Sequence, residues 1–349
     1  MSNGEATIRV GLIGAGANTT YRHIPGFRAL PGVQITCVAN RSRESSQRVA
    51  DEFGIPEIKD SWQQVIESAN VDAVCIGTWP YLHCEATCVA LEKGKHVLCE
   101  ARMARDLQEA RTMLETSRKS PHLTAQIVPA PFGFSVDRTV RELIETGWMG
   151  QVLALNLRET SGDFADFEAP LHWRHRRDLS GLNCLVMGIW YETSMRWLGH
   201  AQSVCANGKI SVTERTHPDT GQKVPVEIPD HLTILVEYPD GVAGNLQFSA
   251  VTGLDRASGA WLFGTEGTLK YDGVADKLWG AQKGATELQE MSIDPDKALD
   301  WRVEEEFINA IRGRENIHLT DFETGVRYME FTEAVHRSWT QGLRVDLPL

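Results

Sequence analysis

The chain is predicted to be α/β, with an amino-terminal doubly wound parallel sheet followed by an α+β domain whose sheet is open and mainly antiparallel. Three observations carry this. Short apolar strands alternate with helical segments over about the first 120 residues. A glycine-rich turn, Gly14-Ala15-Gly16-Ala17-Asn18-Thr19, joins the first strand to the first helix. Beyond Pro129-Ala130-Pro131 the strands follow one another at hairpin spacing, with few helices between them. A length of 349 residues exceeds what a single core usually organises, so the expected division is 1–128 and 129–349.

In chain order, Ile8 to Ile13 reads as a buried strand, and the helix after the glycines runs through Phe27 and Leu30. Gln34 to Asn40 is the second strand; Arg43 to Phe53 is an amphipathic helix stopped by Gly54; Ser61 to Ala69 is another helix. Ala73 to Gly77 is apolar throughout, as a strand covered on both faces requires. A helix over Glu85 to Lys93, a strand over His96 to Cys99, a helix over Leu107 to Lys119 and a strand over Leu123 to Val128 complete the Rossmann-type pattern. In the second domain Val136 to Glu145 is helical. Strands are expected at Gln151–Thr160, Val204–Val212, Leu232–Tyr238, Ala243–Val251, Trp261–Gly264 and Leu269–Tyr271, with turns at Pro239-Asp240-Gly241 and Glu266-Gly267. Helices return at Leu182–Leu198, Val303–Ile311 and Asp321–Thr340.

The glycine turn has a chemical reading. Gly14 permits the sharp bend, Gly16 lets backbone N–H groups approach a pyrophosphate, and the helix start faces it with partial positive charge. Thr19 stands where the third glycine of the fingerprint is usual, and Ala17 and Asn18 complete the cradle. At the end of the second strand Asn40 could bond a ribose hydroxyl, while Arg41 and Ser42 suit a 2′-phosphate, so NADP is favoured over NAD. A net charge of −12 excludes nucleic acid and anionic membrane as principal partners. No leader is visible in Met1 to Thr7, and no apolar run approaches the roughly 20 residues that span a bilayer, so a cytoplasmic protein is expected. Seven scattered cysteines read as reduced small hydrophobes, and Cys84 and Cys88 lack the further ligands zinc needs.

Cys75-Ile76-Gly77-Thr78 followed by Leu82-His83, then Ala90 to Glu100 ending in Gly-Lys-His-Val-Leu-Cys-Glu, resembles the glucose-fructose oxidoreductase, inositol dehydrogenase and rhizopine catabolism (Gfo/Idh/MocA) family. Trp173-Arg174, Arg196-Trp197-Leu198-Gly199, Glu305-Glu306-Phe307 and Val345-Asp346-Leu347-Pro348 extend the resemblance over nearly the whole chain. It implies an NAD(P)-dependent oxidoreductase acting on a sugar, polyol or sugar derivative, with Thr78, Trp79, His83, Glu100, Ala101 and Arg102 beside the cofactor. It also exposes a departure. The family's Glu-Lys-Pro is Glu100-Ala101-Arg102 here, and its helix-borne aspartate and histidine fall on Val186 and Trp190. None of the replacements at those three positions handles protons at neutral pH.

The remaining acid-base candidates are Tyr191, His83 and His172, an atypical proton relay; Tyr81, Arg102, Trp173, Arg174, His175, Val186 and Trp190 are the substrate-facing candidates. Aromatic faces and guanidinium groups suit a carbohydrate-like or anionic ligand. Two other outcomes fit the same residues: a redox-neutral glycosidase or lyase working by transient sugar oxidation, and a nucleotide-binding regulatory protein. An open sheet face also leads to the expectation of a homo-oligomer, dimer or tetramer.

Overall fold

The computed structural model describes residues 6–349, and residues 1–5 of the leader reading lie outside them. The chain forms two compact units, one of residues 1–129 and 302–326, the other of 130–301 and 327–349. Residues 302–326, assigned to the second domain from sequence, thus belong to the first.

In the first unit β1 (Ile8–Ile13), β2 (Val33–Ala39), β3 (Glu57–Ile58), β4 (Ala73–Ile76), β5 (His96–Cys99) and β6 (Ala125–Ile127) pair in parallel in the order β3-β2-β1-β4-β5-β6. That order reverses between β1 and β4, which opens a crevice at the carboxyl ends of these strands. Four fully buried residues in β4 and three in β5 show why the central strands read as unbroken apolar runs. The crossover helices are α1 (Ile24–Ala29), α2 (Arg43–Phe53), α3 (Trp62–Glu67), α4 (His83–Glu92) and α5 (Leu107–Lys119). Ser42, Ser61 and Asp106 cap α2, α3 and α5 by accepting from the third residue onward. A π-helical turn, Thr19–His23, precedes α1.

The second unit begins with α6 (Asp137–Glu145) and contains β7 (Val152–Ser161), α7 (Arg177–Ser180), α8 (Met187–Leu198), β8 (Ser203–Lys209), a small hairpin of β9 (Glu214–Thr216) and β10 (Lys223–Pro225), β11 (His231–Glu237) and β12 (Ala243–Ser249). Next come β13 (Arg256–Gly264), β14 (Gly267–Asp272), β15 (Lys277–Gln282) and β16 (Gln289–Glu290). Helix α9 (Val303–Ile311) belongs to the first unit; α10 (Phe322–Gln341) and β17 (Val345–Asp346) end the chain. The nine-stranded sheet runs β16-β15-β14-β13-β7-β12-β11-β8-β17, antiparallel except for β7 with β12. Leu155, Leu157, Leu232, Ile234, Leu246, Phe248 and Leu262 point to the buried face. Leu153, Leu235 and Trp261 leave the other face open, at 47%, 57% and 37% exposure.

Several bounds differ from the sequence reading. The helix expected from Leu182 starts only at Met187, because Leu185 takes a positive φ of 46° and breaks it. Strand β13 starts at Arg256 rather than Trp261: Ala257, Ser258 and Gly259 carry no alternation, and their ladder partners on β7, joined at Gly259 by β14, make them strand. Strands β3, β9, β10, β16 and β17, absent from the sequence reading, are only two or three residues long, and β15 is also absent from it.

One buried charge holds the second unit's helices together. Asp137, 3% exposed, accepts from Arg196 Nε at 2.6 Å and Trp197 Nε1 at 2.5 Å, tying α6 to α8. Replacing Asp137 by Ala should destabilise this unit by about 3 kcal/mol, since the Arg196 guanidinium is left without its ionic partner on α6. Denaturant unfolding followed by tryptophan fluorescence measures this.

Candidate functional site

The crevice is shaped by what two glycines lack. Gly14, at φ +81°, ends β1, and a Cβ there would lie 2.6 Å from Thr78 Cγ2. A Cβ on Gly77, which ends β4, would fall 2.1 Å from Thr19 Oγ1 and 2.3 Å from Gly14 O. Only glycine allows the two backbones to close in this way. Gly16, Ala17 and Asn18 are exposed above this contact, and a Cβ on Gly16 would meet only Gly77 O, at 3.7 Å. Thr19 is buried and its hydroxyl donates to Gly14 O at 3.3 Å. Among the described residues, Thr78 Oγ1 is buried without a hydrogen-bond partner. An open backbone turn over a glycine cradle, with an orphaned hydroxyl beside it, fits a dinucleotide pyrophosphate.

The residues after β2 take different parts from those expected. Asn40 Oδ1 accepts from Ala15 N–H at 2.6 Å and its Nδ2 donates to Ser45 O at 3.1 Å, so the amide ties the glycine turn to α2. Ser42 caps α2, accepting from Ser45 N–H at 3.2 Å. Arg41 lies over the Trp79 ring, 5.4 Å from its centroid, and forms the rim beside the turn.

Beyond β4 and β5 the side chains are locked. His83 is fully buried, with Nδ1 3.0 Å from Arg102 O and Nε2 2.9 Å from Thr78 O. Burial pushes its imidazole below the ordinary range, against the pull of both carbonyls and of Glu100. With no exposure and a backbone carbonyl against each ring nitrogen, the imidazole is enclosed, which corrects its reading as an acid-base group. Arg102 is 5% exposed and follows a cis Ala101–Arg102 peptide bond. Glu100 Oε2 accepts from Ala101 N–H at 3.0 Å, and its Oε1 accepts from the Asn18 amide and from His23. Tyr81, at 39%, is exposed.

In the second unit Trp190 has no exposure. Its indole N–H donates to Glu159 Oε2 at 2.8 Å, and its ring stacks on Phe132 at 4.6 Å, so it is packed core and not a platform for a sugar. Tyr191, 1% exposed, stacks on Phe331 at 3.6 Å, and its hydroxyl accepts from Ala201 N–H at 3.0 Å. Burial pushes its phenol well above the usual range. That placement corrects its reading as a proton relay. Val186, half-buried, stands just before α8 with no capping side chain.

The loop before α7 is different. His172 and Arg174 are exposed, Trp173 and His175 half-buried, and Arg174 lies 4.3 Å over the Trp173 ring. Arg174 N–H donates to His172 Nδ1, and His172 N–H to His175 Nδ1, both at 3.3 Å. His172, Arg174 and His175 line a cleft of about 580 Å³ with Arg215, Asp163 and Asp230. Burial and the Arg174 charge hold His172 below its ordinary range; burial, then Arg215 and His172, push His175 down to about 4. Among the described residues no group of three or more His, Cys, Asp or Glu side chains could hold a metal ion, and no helix is long and apolar enough to cross a membrane.

Known proteins resemble both halves. Residues 8–126 match the GFO_IDH_MocA oxidoreductase family model, described as an NAD-binding Rossmann fold, and residues 138–270 match the GFO/IDH/MocA C-terminal domain. Levoglucosan dehydrogenase from Pseudarthrobacter phenanthrenivorans is 25% identical over 296 residues, 76% of this chain and 73% of that protein. A dTDP-3,4-didehydro-2,6-dideoxy-alpha-D-glucose 3-reductase from Streptomyces violaceoruber is 30% identical over 187 residues, 52% of each chain. Levoglucosan dehydrogenase in complex with NADH and L-sorbose superposes with a TM-score of 0.85 at 22% identity, over 98% of this chain and 99% of that one. Its apo form gives 0.87 at 21% identity, over 99% and 100%.

The Gly77 contact yields a direct test. Gly77→Ala should lower stability by about 1–3 kcal/mol through overpacking against Gly14 O, a backbone atom that cannot rotate away. Thermal melting compared with wild type measures it.

Proposed function

The chain belongs to the Gfo/Idh/MocA oxidoreductase family, and we propose that it is an NAD(P)-dependent dehydrogenase or reductase of a sugar, polyol or sugar derivative. The observation that carries the reading is the Gly14–Gly77 closure, which leaves the turn from Gly16 to Asn18 open beside the orphaned Thr78 hydroxyl. Relatives named for action on levoglucosan and on a dTDP-linked sugar support the substrate class. Bound there, a nicotinamide would take up or return the hydride of a carbinol carbon.

The chain's own residues would then bind and orient. The backbone N–H groups of the turn from Gly16 to Asn18 and the Thr78 hydroxyl hold the phosphates. Arg41, seated on Trp79, supports acceptance of a 2′-phosphate, and it carries this alone because Asn40 and Ser42 are engaged elsewhere. Ala101, Val186 and Trp190 supply no proton acceptor. His172, exposed in the cleft with Arg174 and His175, is the residue we assign to the substrate oxygen. The open sheet face carrying Leu153, Leu235 and Trp261 supports association into a homo-oligomer.

Each assignment has its own measurement. Arg41→Ala should weaken NADPH binding roughly tenfold and leave NADH nearly unchanged, as loss of one charge-assisted contact to phosphate predicts. Equal losses for both would remove the 2′-phosphate reading. His172→Gln should lower kcat about 100-fold with little change in NADH affinity. Since the His172 imidazole lies below its ordinary 6.5 and must be unprotonated to take the hydroxyl proton, the fall of wild-type kcat/KM for substrate oxidation on acidification should be centred below that value. An unchanged kcat would exclude His172 from proton handling. Leu235→Glu should shift light scattering toward the monomer mass.

A further inference from the structure

One buried cluster in the first unit goes unused by this reading. His23 closes the π-helical turn and has no exposure, yet both its ring nitrogens face carboxyl groups: Nδ1 is 2.5 Å from Glu304 Oε1, and Nε2 is 3.0 Å from Glu100 Oε1. Glu304 lies on α9, 281 positions along the chain from His23. It reaches in beside Gly26, where a Cβ would lie 2.7 Å from its carboxyl carbon, and Phe307 of the same helix packs edge-on against Phe27 at 6.4 Å. Glu100 is 13% exposed at its side chain, and the same Oε1 that meets His23 accepts from the Asn18 amide. Asn18 is itself exposed in the glycine turn.

We propose that Glu304 and His23 are positioning residues for the cofactor turn: acting through Glu100, they set the Asn18 amide with its NH2 inward and leave its carbonyl oxygen as the acceptor offered to a ligand. The inference rests on the cofactor reading above. An acceptor cannot serve phosphate oxygens, so the ligand group it selects is a donor, a ribose hydroxyl or a carboxamide N–H. The charge state follows from the surroundings. Burial opposes a charged His23, but hydrogen bonds to Glu100 and Glu304 and their charges overcome it, raising the imidazole to about 9. Burial likewise opposes ionised Glu100, and His23, Asn18 and Ala101 N–H together hold its carboxyl below the usual range. The other titratable groups facing the pair are Cys75, Cys99 and His83, and burial keeps all three neutral.

A raised imidazole stabilises the fold fully below its unfolded value of 6.5 and ceases to do so as pH rises through about 9. In cofactor-free protein labelled with 15N-histidine, both ring nitrogens of His23 should therefore carry protons at a pH between 6.5 and 9, and Glu304→Gln should move the titration toward 6.5. In calorimetric titration NADH should bind Glu304→Gln roughly tenfold more weakly than wild type, the effect of one weakened hydrogen bond to a charged group. Glu304→Asp should recover part of the loss. Asn18→Ala, at an exposed position, should weaken NADH comparably, and combining it with Glu304→Gln should add nothing further. A neutral His23 in that pH range, wild-type affinity in Glu304→Gln, or additive losses in the double variant would overturn the positioning role. Failure of the wild type to bind either NADH or NADPH would instead overturn the cofactor reading and, with it, the role assigned here.

Discussion

The first unit is governed by one close approach, that of the β1 and β4 chain ends at Gly14 and Gly77. The strands are hydrogen-bonded neighbours at the point where sheet order reverses, and their ends converge to a distance at which no Cβ fits on Gly77. From this closure follow the placement of the Thr19 hydroxyl on Gly14 O, the exposure of Gly16 to Asn18, and the burial of Thr78 Oγ1. Asn40 then holds the turn from the β2 side through Ala15 N–H. A dinucleotide site of this kind is made by removing side chains rather than by adding them.

Buried charge plays the complementary part. Each unit carries an ionic cluster at the junction of elements distant in sequence: Asp137 with Arg196 and Trp197 in one, His23 with Glu100 and Glu304 in the other. Such pairs cost desolvation and stabilise little overall, but breaking one side leaves a buried charge exposed to its full penalty. They therefore define geometry more than they add stability. Local satisfaction also fixes two neighbouring side chains of α8. Trp190 and Tyr191 are packing residues whose polar atoms are each satisfied locally, by Glu159 and Ala201 N–H. An exposed imidazole, that of His172, lies instead before α7, in a segment of the kind where function commonly resides.

Much of the fold was legible because it obeys local rules. Unbroken apolar runs in β4 and β5 mark strands covered on both faces, and Ser42, Ser61 and Asp106 announce helix starts three residues before their partners. The elements that escaped notice were those whose secondary structure is imposed by neighbours. Ala257 to Gly259 are strand only because β7 pairs with them, and Leu185 interrupts a helical pattern through its backbone angle rather than its side chain.

The sequence by itself determined the parallel sheet, the glycine turn and the family, since each depends on residues close together or on motif order. Only tertiary structure decided which polar groups are free to act. His83 and Tyr191 have the right chemistry for proton transfer but are enclosed, and Asn40 is consumed by the turn it was expected to flank. His23 and Glu304 were unreadable as a pair, because burial and long-range contact are properties of the folded chain, and 281 positions of sequence carry no trace of a 2.5 Å separation.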